Sequence, residues 1–353
     1  MNESPESLAT WLRPRLPLDD LSNPEECLSD LSRRWCERHR YWHDSEHLKA
    51  MVSALVEEAT GESRNILLLA ALYHDAIYDP TLDNNEQSSA QLLLKHARNP
   101  ADARVQASAE LILTSRWDHS PKNDLARRFF ELDTCQFLED QPLGTRLRYE
   151  LAIFKEYQWA PWPEYAEKRA EFLHRWADRF PTQARGVAEC LSILGSMQPR
   201  IAIYPGSFNP FHAGHLSILR QAETVFDKVI VAVGINRQKP GAAEAIHQRT
   251  SQLNAQLRFH QVTSYGGLLS DFLDQLGYPA TVVRGVRDGT DLEAELRFSR
   301  FLGEYRPKTQ VVWIGCQAEY QHVSSSGIQE LESFRAGAGS RYIPSPKDIY
   351  GLS

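Results

Sequence analysis

The chain has no Cys-x-x-Cys pair. Its five cysteines, Cys27, Cys36, Cys135, Cys190 and Cys316, are odd in number and irregularly spaced. Neither a disulfide framework nor a cysteine zinc site is expected, and a reducing cytoplasm is the compartment that fits. Met1 to Thr10 is polar and acidic, without the basic start and apolar stretch of a secretory leader. No apolar run approaches the length of a membrane span. The longest, Ile66 to Tyr73, suits a buried helix, so no membrane partner is expected. Basic residues are in the minority, 39 Lys and Arg against 46 Asp and Glu. The net charge of -7 argues against a non-specific nucleic-acid binder, while leaving room for a local phosphate pocket. Internal repeats and low-complexity segments are lacking too.

What remains is the material of two globular domains. A chain of 353 residues, 42% hydrophobic and 24% charged, is long for one domain and comfortable for two, each with its own core. Residues 1–195 read as all-α. Leu48, Met51, Val52, Leu55 and Val56 fall on one face of an amphipathic helix. Asn65 to His74 is apolar almost all round and predicts a central helix. Ala90 to His96, Ala103 to Leu113 and Leu125 to Leu138 continue the helical pattern. Arg146 to Phe180 does so with breaks near Pro161 and Pro163, and Asn85-Glu86 reads as a polar loop.

Residues 196–353 follow a different pattern, starting at Ser196-Met197-Gln198-Pro199. Strand-like runs occur at Ile201 to Tyr204, Val229 to Val233, Phe259 to Thr263, Thr281 to Val283 and Gln310 to Ile314, with helical patterns between them. This alternation predicts a Rossmann-like, doubly wound parallel sheet with ligands at the C-terminal strand ends. The tail after Phe334 reads as loosely structured.

The chemistry of this half centres on Gly206-Ser207-Phe208-Asn209-Pro210-Phe211-His212-Ala213-Gly214-His215, between the first strand and the first helix. It is neither a G-x-G-x-x-G turn nor a P-loop. It carries two histidines as H-x-G-H at a helix N-terminus, where amides and the helix dipole favour phosphate. Gly214 permits close backbone approach. The imidazoles are placed to stabilise charge that grows on departing pyrophosphate.

This segment resembles the signature of the H-x-G-H nucleotidyltransferases, and Arg200 to Leu331 is most similar to the phosphopantetheine adenylyltransferases. Asn236-Arg237-Gln238-Lys239-Pro240 matches that family's lysine loop, and Ser264 to Phe272 its acceptor-pocket segment. Val283-Arg284-Gly285-Val286-Arg287, with Asp291 and Glu295, matches its arginine motif, and Val323 to Ser326 its final nucleotide turn. The resemblance implies a reaction of ATP with 4'-phosphopantetheine that gives dephospho-coenzyme A and pyrophosphate. It makes His215, His212, Lys239 and Arg284 the catalytic set. Ser207, Phe208, Gly214, Arg287, Glu295, Ser324, Ser325 and Ser326 would hold ATP with its Mg2+. Ser207, Lys239, Leu268, Leu269 and Arg284 would meet the acceptor. Bacterial members usually have Thr where this chain has His212, and often Asp in place of Asn209. A full H-x-G-H is common in relatives that use nicotinate, nicotinamide or glycerol phosphate acceptors, so adenylyl or cytidylyl transfer to another phosphorylated acceptor such as nicotinamide mononucleotide stays open beside phosphopantetheine. The family's habit of forming homo-oligomers makes a homo-oligomer a possible state here.

The N-terminal half gathers histidines and carboxylates with few sulfurs, a set suited to Mn2+, Fe2+ or Mg2+. His43 and His47 stand four apart and would share a face if helical. His74-Asp75 closes the apolar helix, Glu86 and His119 follow, and Leu132-Asp133 lies in the next helix. Arg40 to His47, Tyr73 to Asp79, Asn85-Glu86 and Glu131 to Asp133 resemble the HD superfamily of metal-dependent phosphohydrolases over about Trp35 to Phe180. The resemblance implies His43, His74, Asp75 and Asp133 as metal ligands, with His47, Glu86 and His119 in support. Hydrolysis by this half and nucleotide sensing without turnover both stay open.

Overall fold

In the computed structural model, residues 3–58, 61–235 and 242–352 are described. The chain divides into two compact units. One comprises residues 1–157, 162–197 and 350–353, and the other 158–161 and 198–349.

The first unit is helical among its described residues. Its ten α-helices are α1 (Pro5–Leu12), α2 (Pro24–Trp35), α3 (Ser45–Glu58), α4 (Gly61–Tyr73), α5 (Asn85–His96), α6 (Ala103–Thr114), α7 (Asp124–Asp133), α8 (Leu143–Glu156), α9 (Trp162–Arg179) and α10 (Ala184–Ser196). Helix α4 is central because Ile66 to Tyr73 are all buried. It packs against α3, α5, α6 and α7 around the apolar run Ile66 to Tyr73. Buried polar groups cross-link this core. Trp35 Nε1 donates to Leu72 O at 2.9 Å, and Ser108 Oγ to Ile66 O at 3.0 Å.

Two sequence expectations change here. Asn85-Glu86 forms the first turn of α5 rather than a loop. Its acidic residue there complements the helix dipole. The break in the Arg146 to Phe180 segment covers residues 157–161 only. Pro163 sits at the second position of α9, where the missing N–H costs nothing.

The second unit is built on β1 (Ile201–Gly206), α11 (Ala213–Val225), β2 (Lys228–Ile235), α12 (Ala242–Gln256), β3 (Val262–Gly266), α13 (Leu269–Gln275), β4 (Thr281–Val286), α14 (Gly289–Tyr305), β5 (Val311–Gly315) and α15 (Ser325–Phe334). All strand pairs are parallel, in the order β3-β2-β1-β4-β5. The chain reverses its direction of sheet growth between β1 and β4, so the crevice at their C-terminal ends is the expected ligand site of such a sheet. Strand β3 lies three residues later than the sequence pattern suggests. Its register against β2 runs from Val231 with Val262 to Ile235 with Gly266, while Phe259 is a buried plug before the strand. After Phe334 the chain forms further short helical turns. No helix among the described residues is long and apolar enough to cross a membrane.

Candidate functional site

In the second unit, Gly206 to His215 leaves β1 and enters α11 at the switch point of the sheet. Gly206 is required by close packing. A Cβ there would lie 2.7 Å from the Phe208 ring. Phe208 itself holds a left-handed backbone, φ 43°, which costs a bulky residue about 1–3 kcal/mol. Its buried ring is clamped by Tyr204, Phe211 and His215, with centroids 5.2, 5.8 and 5.1 Å away. That clamp fixes the loop ahead of the two histidines.

His212 caps α11 and His215 stands in its first turn, with the rings stacked at 3.7 Å. The backbone N–H of His212 donates to His215 Nδ1 at 3.3 Å. A nitrogen that accepts carries no proton, so the neutral His215 ring bears its proton on Nε2. Burial, with Arg287 adding to it, pulls His212 down to about 4. Burial, then His212 and Arg287, pull His215 well below the ordinary imidazole value. Both rings are therefore neutral N–H donors near pH 7. The His212 side chain in turn accepts from the backbone N–H of His215, so the two histidines cap the helix reciprocally.

Arg284, at the end of β4, is gripped by Glu295 of α14 in a two-pronged pair at 2.6 and 2.6 Å. It also donates to Pro205 O at 2.9 Å and lies 4.8 Å over the Phe298 ring. Arg287 pairs in the same way with Asp291 at 2.7 and 3.0 Å. The family resemblance assigns Glu295 to ATP, whereas the geometry here joins it to Arg284, which the resemblance assigns to the acceptor. Ser324 caps α15, accepting from Gly327 N–H at 3.0 Å. Ser325 Oγ donates to Pro210 O at 3.1 Å, and Gln329 Nε2 to Asn209 O at 2.9 Å. The serine turn is thus tied to the histidine loop. Ser207 is exposed, Leu268 is half exposed and Leu269 is buried in the core. Lys239 lies outside the described residues, with the rest of its loop.

In the first unit, His47, His74, Asp75 and Asp133 place one ligand atom each within 4.8 Å of one another. His74 Nδ1–H donates to Ala71 O at 3.0 Å, so the lone pair of its Nε2 faces the carboxylates. Those lie 3.0 Å away for Asp75 and 3.4 Å for Asp133. His47 Nε2 is 3.5 Å from Asp133. Both Nε2 atoms are buried without an aligned hydrogen bond. Acceptors converging on acceptors require a shared cation, a proton or a metal. With protons alone, burial opposes a charged His74, but Asp75 and Asp133 outweigh it and raise that ring well above its ordinary value. Asp75 is driven to about 2, its burial outweighed by His74 and His43. The donor set of two imidazoles and two carboxylates fits a divalent first-row ion or Mg2+.

The sequence reading differs from this group at one corner. His47, expected in support, is inside it, and His43, expected as a ligand, is beside it. The cause is local. Asp44 Oδ1 accepts from Glu46 N–H and His47 N–H at 3.0 and 3.2 Å, which starts α3 at Ser45. His43 precedes the helix, so a spacing of four does not put it on the face of His47. Its Nδ1–H donates to Glu156 Oε2 at 2.7 Å. Glu86 is half-buried near Asp75, and burial, with the charge of Asp75 adding to it, pushes its carboxyl up. His119 is exposed and is not one of the four. Two further residues complete the site. Trp117, left-handed at φ 52°, donates from Nε1 to Asp133 Oδ2 at 2.6 Å. Arg40 binds the carbonyls of His43, Asp75 and Ala76 at 3.1, 2.6 and 3.2 Å and fastens the turn after α4.

Comparison with known proteins adds to the C-terminal geometry. Residues 203–331 match the cytidylyltransferase-like family. The phosphopantetheine adenylyltransferase of Clostridium perfringens (strain SM101 / Type A) is 34% identical over 148 residues, covering 41% of this chain and 88% of that protein. The enzyme of the same name from Chloroflexus aurantiacus is 39% identical over 137 residues, 38% of this chain and 84% of that protein. That of Clostridium botulinum (strain Eklund 17B / Type B) is 33% identical over 138 residues, 38% and 86% respectively. Through its C-terminal unit, the chain belongs to the cytidylyltransferase-like family of the phosphopantetheine adenylyltransferases.

Proposed function

We propose that the C-terminal unit transfers the AMP part of ATP, supplied with Mg2+, to 4'-phosphopantetheine. The observation that carries this reading is the stacked, neutral histidine pair at the N-terminus of α11, with Arg284 on the neighbouring β4 and Arg287 just after it. An acceptor phosphate oxygen attacks the α-phosphorus in line. The new P–O bond forms as the bond to the β-phosphate breaks, and pyrophosphate leaves without a covalent enzyme intermediate. His215 Nε2–H and the α11 amides stabilise the charge that develops on the phosphates. Arg284, held flat by Glu295 and Phe298, presents its remaining N–H groups to the acceptor phosphate. Lys239 bridges the acceptor and the phosphoryl group in flight. Ser207 and the Ser324 to Ser326 turn hold the nucleotide. A second reading, transfer to another phosphorylated acceptor such as nicotinamide mononucleotide, is favoured by His212 in the place where Thr is usual. Pyrophosphate release with each acceptor separates the two, and replacement of His215 abolishes either.

The N-terminal unit we infer to be an HD-type metal-dependent phosphohydrolase domain. His47, His74, Asp75 and Asp133 would hold the ion, which supplies Lewis-acid activation of water and of a phosphate ester. Ala71 O orients His74, Trp117 orients Asp133, and Arg40 braces the turn that carries Asp75. Calorimetric Mn2+ titration of the chain, with and without Asp133→Asn, tests this. Micromolar binding that the substitution removes supports it, and no binding by the unmodified chain overturns it.

A further inference from the structure

Asp133 is the last residue of α7, where the negative end of the helix disfavours an anionic side chain. Its two oxygens face different neighbours. Oδ1 lies 3.4 Å from His74 Nε2 and 3.5 Å from His47 Nε2, inside the cluster. Oδ2 accepts the Trp117 indole N–H at 2.6 Å. Trp117 reaches that oxygen from a constrained backbone. With Phe208, it is one of two non-glycine residues in the left-handed region among the described residues. A bulky side chain stays there only where its surroundings require it. Trp117 N–H donates to Thr114 O at 2.9 Å, and Arg179 donates to Trp117 O at 2.9 Å. The buried Trp117 ring packs 4.8 Å from Phe130 and 6.0 Å from Phe129, and the Phe129 ring lies 5.7 Å from that of His74. The turn is thus held from both ends, and it delivers its one polar side-chain atom, indole Nε1, to Asp133 Oδ2.

We propose that Trp117 sets the ion preference of the N-terminal cluster, by occupying Asp133 Oδ2 so that Asp133 offers the ion Oδ1 alone. The inference rests on reading His47, His74, Asp75 and Asp133 as a metal site. An ion that drew in both oxygens would have to take Oδ2 from the indole and leave a buried N–H without its acceptor. Ca2+ takes about 6–8 oxygen ligands and commonly a two-oxygen carboxylate, so this arrangement penalises it most. Smaller ions such as Mn2+ and Mg2+ are served by a single carboxylate oxygen held in a fixed direction. Trp117 is then a positioning residue that acts through Asp133.

Trp117→Phe in the full chain tests this, since it removes the indole N–H and keeps an aromatic ring against Phe129 and Phe130. Mn2+ affinity is measured by calorimetry, and Ca2+ affinity by competition against Mn2+, for the unmodified protein and the variant. The Trp117 indole 1H–15N resonance is followed in the unmodified protein as diamagnetic Mg2+ is added. Expected are Mn2+ binding weaker by about tenfold in the variant and Ca2+ binding unchanged or tighter, so that the preference for Mn2+ over Ca2+ falls by about tenfold or more. The indole resonance should keep its hydrogen-bonded, downfield position when Mg2+ binds. Should Trp117→Phe fail to fold, Arg179→Ala, which releases Trp117 O, carries the test together with the indole resonance, and its preference should fall in the same direction. An unchanged preference in the variant that folds overturns the proposal. Equal weakening of both ions overturns it as well, by making Trp117 a support for the fold with no part in choosing the ion. An indole N–H released as Mg2+ binds overturns it too, because Oδ2 would then serve the ion. Absence of Mn2+ binding by the unmodified protein is a different failure, which removes the metal site itself and the proposal with it.

Discussion

Single residues carry most of the chemistry, and two of them set the charge state of the nucleotide site. His212 and His215 are neutral because burial leaves no solvent to support an imidazolium and Arg287 adds like charge. Shifted below the ordinary 6.5, His212 gains a proton only as pH falls towards about 4. Imidazole NMR titration of the free protein should therefore show both rings uncharged from pH 8 to 5, and a transition near 6.5 at either would contradict the geometry. Glu295→Gln should loosen Arg284, raising KM for the phosphorylated acceptor by about tenfold, one charge-assisted hydrogen bond, with a smaller effect on KM for ATP. An ATP-specific defect would instead return Glu295 to the nucleotide. At this scale the sequence was readable where residues are adjacent. The H-x-G-H pair, Arg284 with Arg287, and His74-Asp75 all lie in short motifs at strand or helix ends. Glu156 was not readable, because 113 positions separate it from His43 and no periodicity links them. Its one signal is an acidic residue in the last turn of a helix. The exchange of His43 for His47 in the cluster had a visible cue as well, since Asp44 is a helix-capping residue type directly between them.

At the scale of elements, placement depends on where helices and strands begin. Asp44 starts α3 and so aims His47 inward. Asp44→Ala should cost about 1 kcal/mol of stability as a lost cap and should also weaken Mn2+ binding. A stability loss with unaltered metal affinity would separate the cap from the site. Gly186 in α10 has no room for a side chain, since a Cβ there would lie 2.2 Å from Phe137 O. Gly186→Ala should destabilise the helical unit by about 1–3 kcal/mol in denaturant unfolding, because the obstruction is backbone and cannot rotate away. The central helix α4 and the alternation of strands and helices in the second unit were legible from hydrophobic runs alone. The start of β3 was not. Phe259 is as apolar as a strand residue, and only the register against β2 decides that pairing begins at Val262.

For the molecule as a whole, two units with different folds each gather a cluster of polar groups among the described residues. The C-terminal family match covers about two fifths of the chain, and the helical unit lies outside residues 203–331. Activities housed in separate units should be lost separately. His215→Ala should abolish transfer, about 100- to 1,000-fold, and leave Mn2+ binding intact, while Asp133→Asn should do the converse. Loss of both functions in either variant would show that the two sites depend on each other.

The most direct test is pyrophosphate release with ATP and Mg2+, with 4'-phosphopantetheine offered against nicotinamide mononucleotide, to the unmodified protein and to His215→Ala. Release with phosphopantetheine and its loss in the variant are expected. Release that survives the loss of His215, or that occurs with neither acceptor, would contradict the proposed transfer.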